Sequence, residues 1–220
     1  MLKYRPFEMH CHTRHSDGTF LVPQLIESVA AYGYAGLALT DHNAVTGLLE
    51  VTEELQRKNN CLVLPGIEWT TFYGHLLVIG CDRFVDWRFV TPDTIDEALQ
   101  EIRAAGGIAG VAHPCEVGSP LMCGCNWEFR VKRWDLMDYV EIWSGPDPHA
   151  SAKNGLAMPW YDALLNQGYH LAISAGRDWH GPDKPGQIPL LTATYLGIDG
   201  DVTIENAKAA IRAGRTYVTS

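Results

Sequence analysis

The chain has 220 residues, a formal net charge of −9 with histidine neutral, and 46% apolar against 20% charged residues. That length suits one large domain with its own core, and the ordinary composition excludes a disordered or fibrous chain. The acidic balance argues against a protein that grips long nucleic acid by neutralising phosphates, which needs a basic face.

No apolar run approaches the roughly 20 residues required to span a bilayer. The opening MLKYRPFEMHCH also lacks the apolar core of a signal peptide. A cytoplasmic location without membrane association is therefore expected, with the six cysteines reduced.

In chain order, Phe7 to His12 reads as a first strand. VPQLIESVAAYGY reads as a helix, with Pro23 suited to its first turn and Gly33 to its stop. AGLALTDH is a short apolar run with a polar end, the signature of a buried strand. The rhythm repeats with GLLEVTEELQRKNN as helix, CLVLPGIEW and HLLVIGC as strands, TIDEALQEIRAAGG as helix and IAGVAHP as strand. Residues 115–134 break the pattern and read as a long loop, of the kind that carries function in compact domains. DYVEIW, the helix MPWYDALLNQG, HLAISAGRDWH, TATYLGI, the helix IENAKAAIRAG and RTYVTS close the chain. Strands alternating with helices imply βα units and a mostly parallel sheet. No repeat, linker or low-complexity tract divides residues 1–220, so a single domain is expected.

The chemistry is concentrated at strand ends. His10 and His12, His42 in LTDH, Glu68 in GIEW, His113 in AHP, and Asp178 with His180 in RDWH all terminate apolar strands, whereas His75 opens one. Strand ends of a parallel barrel converge on one face. Residues i and i+2 of a strand point the same way, so His10 with His12, and Asp178 with His180, can each aim two ligands at one pocket. Cys11, between the first pair, points to the core.

HCHTRHSDG, LTDHN, PGIEW, GHLLVIG, AHP and GRDWHG resemble, in order and spacing, the successive motifs of the PHP (polymerase and histidinol phosphatase) superfamily, from about residue 8 to 181. The closing AIRAGRTYVTS resembles the branch that includes carbaryl-type ester hydrolases. The resemblance implies an α/β fold, a distorted (β/α)7 barrel with a trinuclear metal site at the C-terminal ends of its strands. It further implies that His10, His12, Glu68 and Asp178 hold a first metal, that Glu68 bridges to a second held by His75 and His113, and that Asp17, His42 and His180 hold a third. Where many members have Ser-Asp before the last histidine, this chain has Arg177-Asp178, a departure that bears on substrate preference.

Imidazole and carboxylate without thiolate suit Zn, Mn or Fe. Three divalent cations bring +6 against −3 from the three ligand carboxylates, leaving about +3, so a small anionic substrate is expected, a phosphate ester first. Metals about 3.5 to 4 Å apart can share a hydroxide and clamp both oxygens of an in-line displacement. The leading expectation is thus a metal-dependent phosphoesterase acting on small phosphate esters, nucleotides or short oligonucleotide ends.

Other residues stay open at this level. Asp41 is either a proton acceptor or support for His42, or a turn former; His15 is either a leaving-group acid or a loop histidine. Arg177 and Arg14 are either a bidentate fork for phosphate or structural. Trp127, Trp134, Trp143, Trp160 and Trp179 are candidate pocket walls, two of them equally suited to the core. Cys115 and the CGC at 123–125 lack the partner pair of a thiolate site.

Two further function classes stand beside the first: hydrolysis of carboxylic esters, carbamates or amides, and a non-catalytic binding or regulatory domain. The latter would show lost ligands, and all nine positions are filled. The 115–134 loop and GPDKPGQIP (181–189) are expected to shape substrate choice.

Overall fold

A computed structural model describes residues 1–118, 124–184 and 191–220. The middle of the long loop, with Cys123, and most of the GPDKPGQIP segment lie outside these described residues. Strands β1 (Leu2–Cys11), β2 (Gly36–Leu39), β3 (Leu62–Thr71), β4 (Gly74–Ile79), β5 (Ile108–Val111), β6 (Tyr139–Ser144), β7 (Ala172–Gly176), β8 (Ala193–Asp199) and β9 (Thr216–Thr219) form one sheet in the order β7-β6-β5-β4-β3-β2-β1-β8-β9. The sheet curls into a nearly closed barrel. A parallel bridge between Cys11 and Trp179 and the hydrogen bonds His12 N–H to Trp179 O (3.0 Å) and Trp179 N–H to His10 O (3.0 Å) bring the β7 end against β1.

The pairing is more mixed than the alternating pattern implies. β1–β2, β2–β3, β5–β6 and β6–β7 are parallel, but β3–β4, β4–β5, β1–β8 and β8–β9 are antiparallel. The cause at β3–β4 is chain length. A parallel crossover takes a dozen or more residues, whereas only Phe72 and Tyr73 separate Thr71 from Gly74. β4 therefore runs back down the barrel, so its first residues lie on the face where the neighbouring strands end. This is why His75 opens its strand while the other candidate residues close theirs.

Helices α1 (Val22–Ala31), α2 (Glu53–Asn59), α3 (Ile95–Ala104) and α4 (Ala152–Asn166) cover the outside. The expected helix from residue 47 to 60 divides into a 3-10 turn at Thr46–Glu50 and α2, because the Thr52 hydroxyl caps a new start by accepting Leu55 N–H at 3.1 Å. α4 begins well before Met158 and runs through Pro159.

The barrel interior is filled by Phe7, Met9, Leu64, Leu77, Ile108 and Tyr139, all fully buried. Burying each such side chain stabilises by roughly 1.5–3 kcal/mol. Helix α5 (Ile204–Arg212) closes the lower end with Ala207, Ala210 and Ile211. Its Lys208 ammonium donates to Gly80 O (3.2 Å) and Gly106 O (3.0 Å) there. With one end plugged, the opposite end is left for chemistry. Among the described residues no helix is long and apolar enough to cross a membrane.

Candidate metal centre

At the open end the nine histidines and carboxylates singled out from the sequence come together, drawn from β1, β3, β4 and the segments after β1, β2, β5 and β7. Glu68, fully buried on β3, is the hub. Its Oε1 lies 2.8 Å from His75 Nδ1 and 3.2 Å from His113 Nε2. Its Oε2 lies 3.1 Å from His10 Nε2, 3.4 Å from His12 Nε2 and 2.9 Å from His42 Nδ1. Asp178 Oδ1 faces His12 Nε2 at 3.1 Å and His10 Nε2 at 3.4 Å. Asp17 approaches His180 Nε2 (3.3 Å) and His42 Nε2 (3.6 Å).

The donor atoms fall into overlapping groups able to hold cations: His12, Asp17, His42 and His180; His10, His12 and Asp178; His10, Glu68 and His113; His42, Glu68 and His75. The groups grade from closed to open. His10, His12 and Glu68 side chains are inaccessible, while Asp17 is 53% exposed, so solvent and substrate approach from the Asp17 side.

Local structure aims these residues against ordinary preference. Asp178 (φ 51°), His113 (φ 26°) and Asn43 beside His42 (φ 51°) have left-handed backbones, which non-glycine residues rarely adopt. A parallel bridge from His42 to Glu68 fixes the β2 end against β3. Cys11 faces away, its thiol donating to Ala38 O at 3.0 Å.

The groups neutralise one another. Burial opposes charge on His10, but Glu141, Asp178 and Glu68 outweigh it and hold its pKa well above the ordinary histidine value. Burial likewise opposes charge on Glu68 and Asp178, and the surrounding histidines, His10 foremost, keep both well below the carboxylate range. His12, where burial dominates, is pushed down. Divalent cations would provide the same neutralisation to neutral imidazoles. The buried Nδ1 of His12 and Nε2 of His75 also lack any hydrogen-bond partner among the described residues, and His10 Nε2 faces Glu68 Oε2 at 3.1 Å without hydrogen-bond geometry. Orphaned buried polar atoms cost about 1–3 kcal/mol each, and a hard or borderline cation satisfies this donor set. The residues present therefore fit a metal centre.

Several supporting residues escaped the sequence reading. Glu141, fully buried on β6, faces His10 Nδ1 at 3.0 Å and accepts His113 N–H at 3.0 Å. It is the carboxylate behind a histidine that fixes which ring nitrogen faces a metal. Glu8, also buried, accepts the N–H groups of His10 (3.0 Å) and Arg177 (2.9 Å), and burial pushes its pKa up to about 8. The Thr70 hydroxyl bonds His42 Nδ1. Carboxylates set inside the apolar runs of FEMHCH and DYVEIW were the available signal, since a buried charge needs a partner.

The non-ligand candidates sit apart from the cluster's donor atoms. Asp41 accepts Thr13 N–H (2.7 Å), Thr13 Oγ1–H (2.7 Å) and Ser16 Oγ–H (2.8 Å), which folds the loop carrying Asp17. His15 spends both ring nitrogens on Thr46 Oγ1 (2.8 Å) and Glu50 Oε1 (2.8 Å). Arg177 is buried, paired with Asp183 and stacked 3.9 Å over the Trp179 ring. Arg14 Nε donates to Thr19 O at 3.1 Å. Trp134 and Trp160 pack on each other in the core, Trp127 packs against Phe129, Trp143 meets His149, and Trp179 is buried against Phe20.

Residues 8–108, which carry six of the nine donors, match the PHP domain family. That stretch, a little under half of the chain, is what the chain shares with the family. The other three donors, His113, Asp178 and His180, follow that stretch. A 3',5'-nucleoside bisphosphate phosphatase of Chromobacterium violaceum is 34% identical over 79 residues, which is 34% of this chain and 27% of that protein.

The PHP-type fold extends over nearly the whole chain. A two-domain protein of Bacteroides vulgatus containing a predicted PHP-like metal-dependent phosphoesterase superposes with a TM-score of 0.73 at 17% identity, covering 99% of this chain and 65% of its own. An amidohydrolase of C. violaceum with bound sulfate superposes with a TM-score of 0.58 at 18% identity, covering 96% and 97%. At these identities the two structures speak to fold alone, and this chain spans less than two thirds of the first two relatives.

Proposed function

We propose that this PHP domain is a metal-dependent phosphoesterase acting on small phosphate esters, nucleotides and short oligonucleotide ends among them. The observation that carries the proposal is the convergence of nine donor residues around the buried Glu68 carboxylate, with lone pairs left unpaired. Residues 1–220 act as one domain, and a cytoplasmic setting suits the free Cys11, Cys61, Cys81 and Cys115 thiols.

His10, His12, Glu68 and Asp178 would hold a first cation, Glu68 with His75 and His113 a second, and Asp17, His42 and His180 a third. Zn, Mn and Fe all suit this donor set. When bound, such cations supply Lewis acidity and lower the pKa of the attacking water. The chain's own residues do the placing. Glu141 orients His10, Thr70 orients His42, and Asp41 holds the loop from which Asp17 reaches the open side. Three ligand carboxylates against three divalent cations leave a site of about +3, which selects an anion, and the exposed Asp17–His180 edge admits it. The nucleoside bisphosphate phosphatase similarity supports the same substrate class.

A second reading, hydrolysis of carboxylic esters, carbamates or amides, is favoured by the arginines. Arg177 is committed to Asp183 and Arg14 to Thr19 O, so neither offers a free fork to phosphate.

The test is metal content of the purified protein, then turnover of p-nitrophenyl phosphate beside p-nitrophenyl acetate after Mn or Zn loading. Phosphatase activity lost with chelation and with His10→Ala is the expected result. Selective acetate hydrolysis by metal-loaded protein would overturn it in favour of the second reading.

A further inference from the structure

Behind His113, as behind His10, stands a carboxylate, and here that carboxylate is itself held by a lysine. His113 Nε2 faces Glu68, and its Nδ1 faces Glu116 Oε2 at 3.5 Å, a distance at which the pair is electrostatic rather than a formed hydrogen bond. Glu116 is in turn gripped by Lys153, whose Nζ lies 2.6 Å from Oε2 and 3.4 Å from Ser144 Oγ. Both side chains are mostly shielded, Lys153 21% and Glu116 27% exposed, so the pair is screened less than a surface ion pair.

Lys153 is itself anchored. Its neighbour Asn154, buried, accepts Ser144 N–H (3.0 Å) and donates to Ser144 O (3.1 Å) and Pro148 O (3.0 Å), which locks the start of α4 to the end of β6. On the other side, Glu116 N–H donates to His113 O at 3.0 Å, closing the turn in which His113 holds its left-handed backbone.

We propose that Glu116 and Lys153 form a strap that positions His113 at the metal centre. Glu116 faces Nδ1 so that Nε2 is left for the cation, and Lys153 fixes Glu116. The inference rests on the metal-centre reading above. The arrangement parallels Glu141 behind His10, where Nδ1 is likewise the nitrogen turned to a carboxylate. Lys153 has a second effect. His113, Glu116 and Asp178 donors come within 4.8 Å of one another, so an unrestrained Glu116 would compete as a ligand. The ammonium holds it back and offsets its charge.

The test is Mn2+ binding by wild type, Glu116→Gln, Glu116→Asp and Lys153→Met, read by electron paramagnetic resonance titration and by metal analysis across graded chelator. Loss of a carboxylate behind a ligating histidine typically weakens metal affinity roughly 10- to 100-fold. Glu116→Gln is expected to weaken one ion by that factor with unchanged stoichiometry at saturation, Glu116→Asp to recover part of it, and Lys153→Met to weaken the same ion.

Wild-type affinity in Glu116→Gln, or in Lys153→Met, would overturn the strap. So would outright loss of one ion from Glu116→Gln at saturating Mn2+, which would make Glu116 a direct ligand. A wild-type protein that binds no Mn2+ overturns the metal reading and the strap together. One that binds as expected yet hydrolyses no phosphate ester leaves the strap standing and overturns only the phosphoesterase reading.

Discussion

Replacing Glu68 by Gln keeps the side chain's volume and removes one negative charge from the point where five histidines meet. In the structure its two oxygens lie between 2.8 Å (His75 Nδ1) and 3.4 Å (His12 Nε2) from those rings, and the side chain is wholly buried. Unit charges about 4 Å apart interact by roughly 4 kcal/mol at an effective dielectric of about 20. That is about a thousandfold in affinity for each cation that loses the carboxylate. Because Glu68 faces His75 and His113 through one oxygen and His10, His12 and His42 through the other, at least two cations feel the loss. Equilibrium dialysis against a graded chelator, with metal analysis and a circular-dichroism melt to confirm folding, is the assay. Glu68→Gln is expected to retain at most one ion under conditions where wild type retains its full complement. A folded variant binding within about tenfold of wild type would refute the bridging role, because charge removal at that distance cannot be so nearly neutral.

Three further outcomes follow from neighbouring groups. In the metal-free protein the carboxylates Glu141, Asp178 and Glu68 raise the His10 pKa well above the ordinary 6.5 against the opposing effect of burial. Metal requires the ring neutral, so binding should release protons and affinity should climb as pH rises from 6.5 toward the raised value; a pH-stat titration reads this, and pH-independent binding would contradict it. Asp41→Ala strands Thr13 N–H and two hydroxyls, with an expected loss of about 1–3 kcal/mol, seen as roughly 2–4 °C of Tm per kcal/mol, and selective weakening of the ion nearest Asp17. Asp183→Asn leaves the buried Arg177 guanidinium without its countercharge. Arg177 holds the Asp183 pKa below 3.8, so the pair stabilises above that value and the contribution is lost as pH falls through the lower folded pKa; the melting gap between wild type and variant should be widest near neutrality and close in acid.

The α/β rhythm was legible because buried strands are short apolar runs with polar ends, and α2 and α5 each open on a threonine cap, Thr52 and Thr203. Strand direction was legible in principle but went unread. Two residues between GIEWTT and GHLLVI exclude a parallel crossover on length alone. The early start of β1 at Leu2 was not legible, since Leu2 to Pro6 owe their strand pairing to β8, almost 200 residues later. The Asp178–His180 pair was placed by the period-2 rule, yet β7 ends at Gly176 and Asp178 has left-handed φ. The two side chains reach the same pocket through the Trp179 bridge to Cys11 rather than through regular strand geometry.

Two ligand pairs, His10 with His12 and Asp178 with His180, are local in sequence, whereas some of the residues that support the site are far from what they support. His10 and His12 announce themselves by spacing, whereas Glu141 lies 131 positions from the histidine it orients and Lys153 lies 37 from Glu116. Pairings at such separations leave no periodic trace. The backbone carries the matching signature. Left-handed φ at His113, Asp178 and Asn43 costs of order 1–3 kcal/mol at each position and persists only where the surroundings over-determine it. At His113 the surroundings are the Glu141 and Glu116 contacts, at Asp178 the barrel-closing bridge, and at Asn43 the amide that donates to Thr70 O at 2.9 Å and accepts Thr70 N–H at 2.9 Å. Three of the four left-handed non-glycine residues described stand at the open end of a barrel whose other end is plugged by α5, and the fourth, Asn60, caps the end of α2; strain gathers where precise aim is demanded.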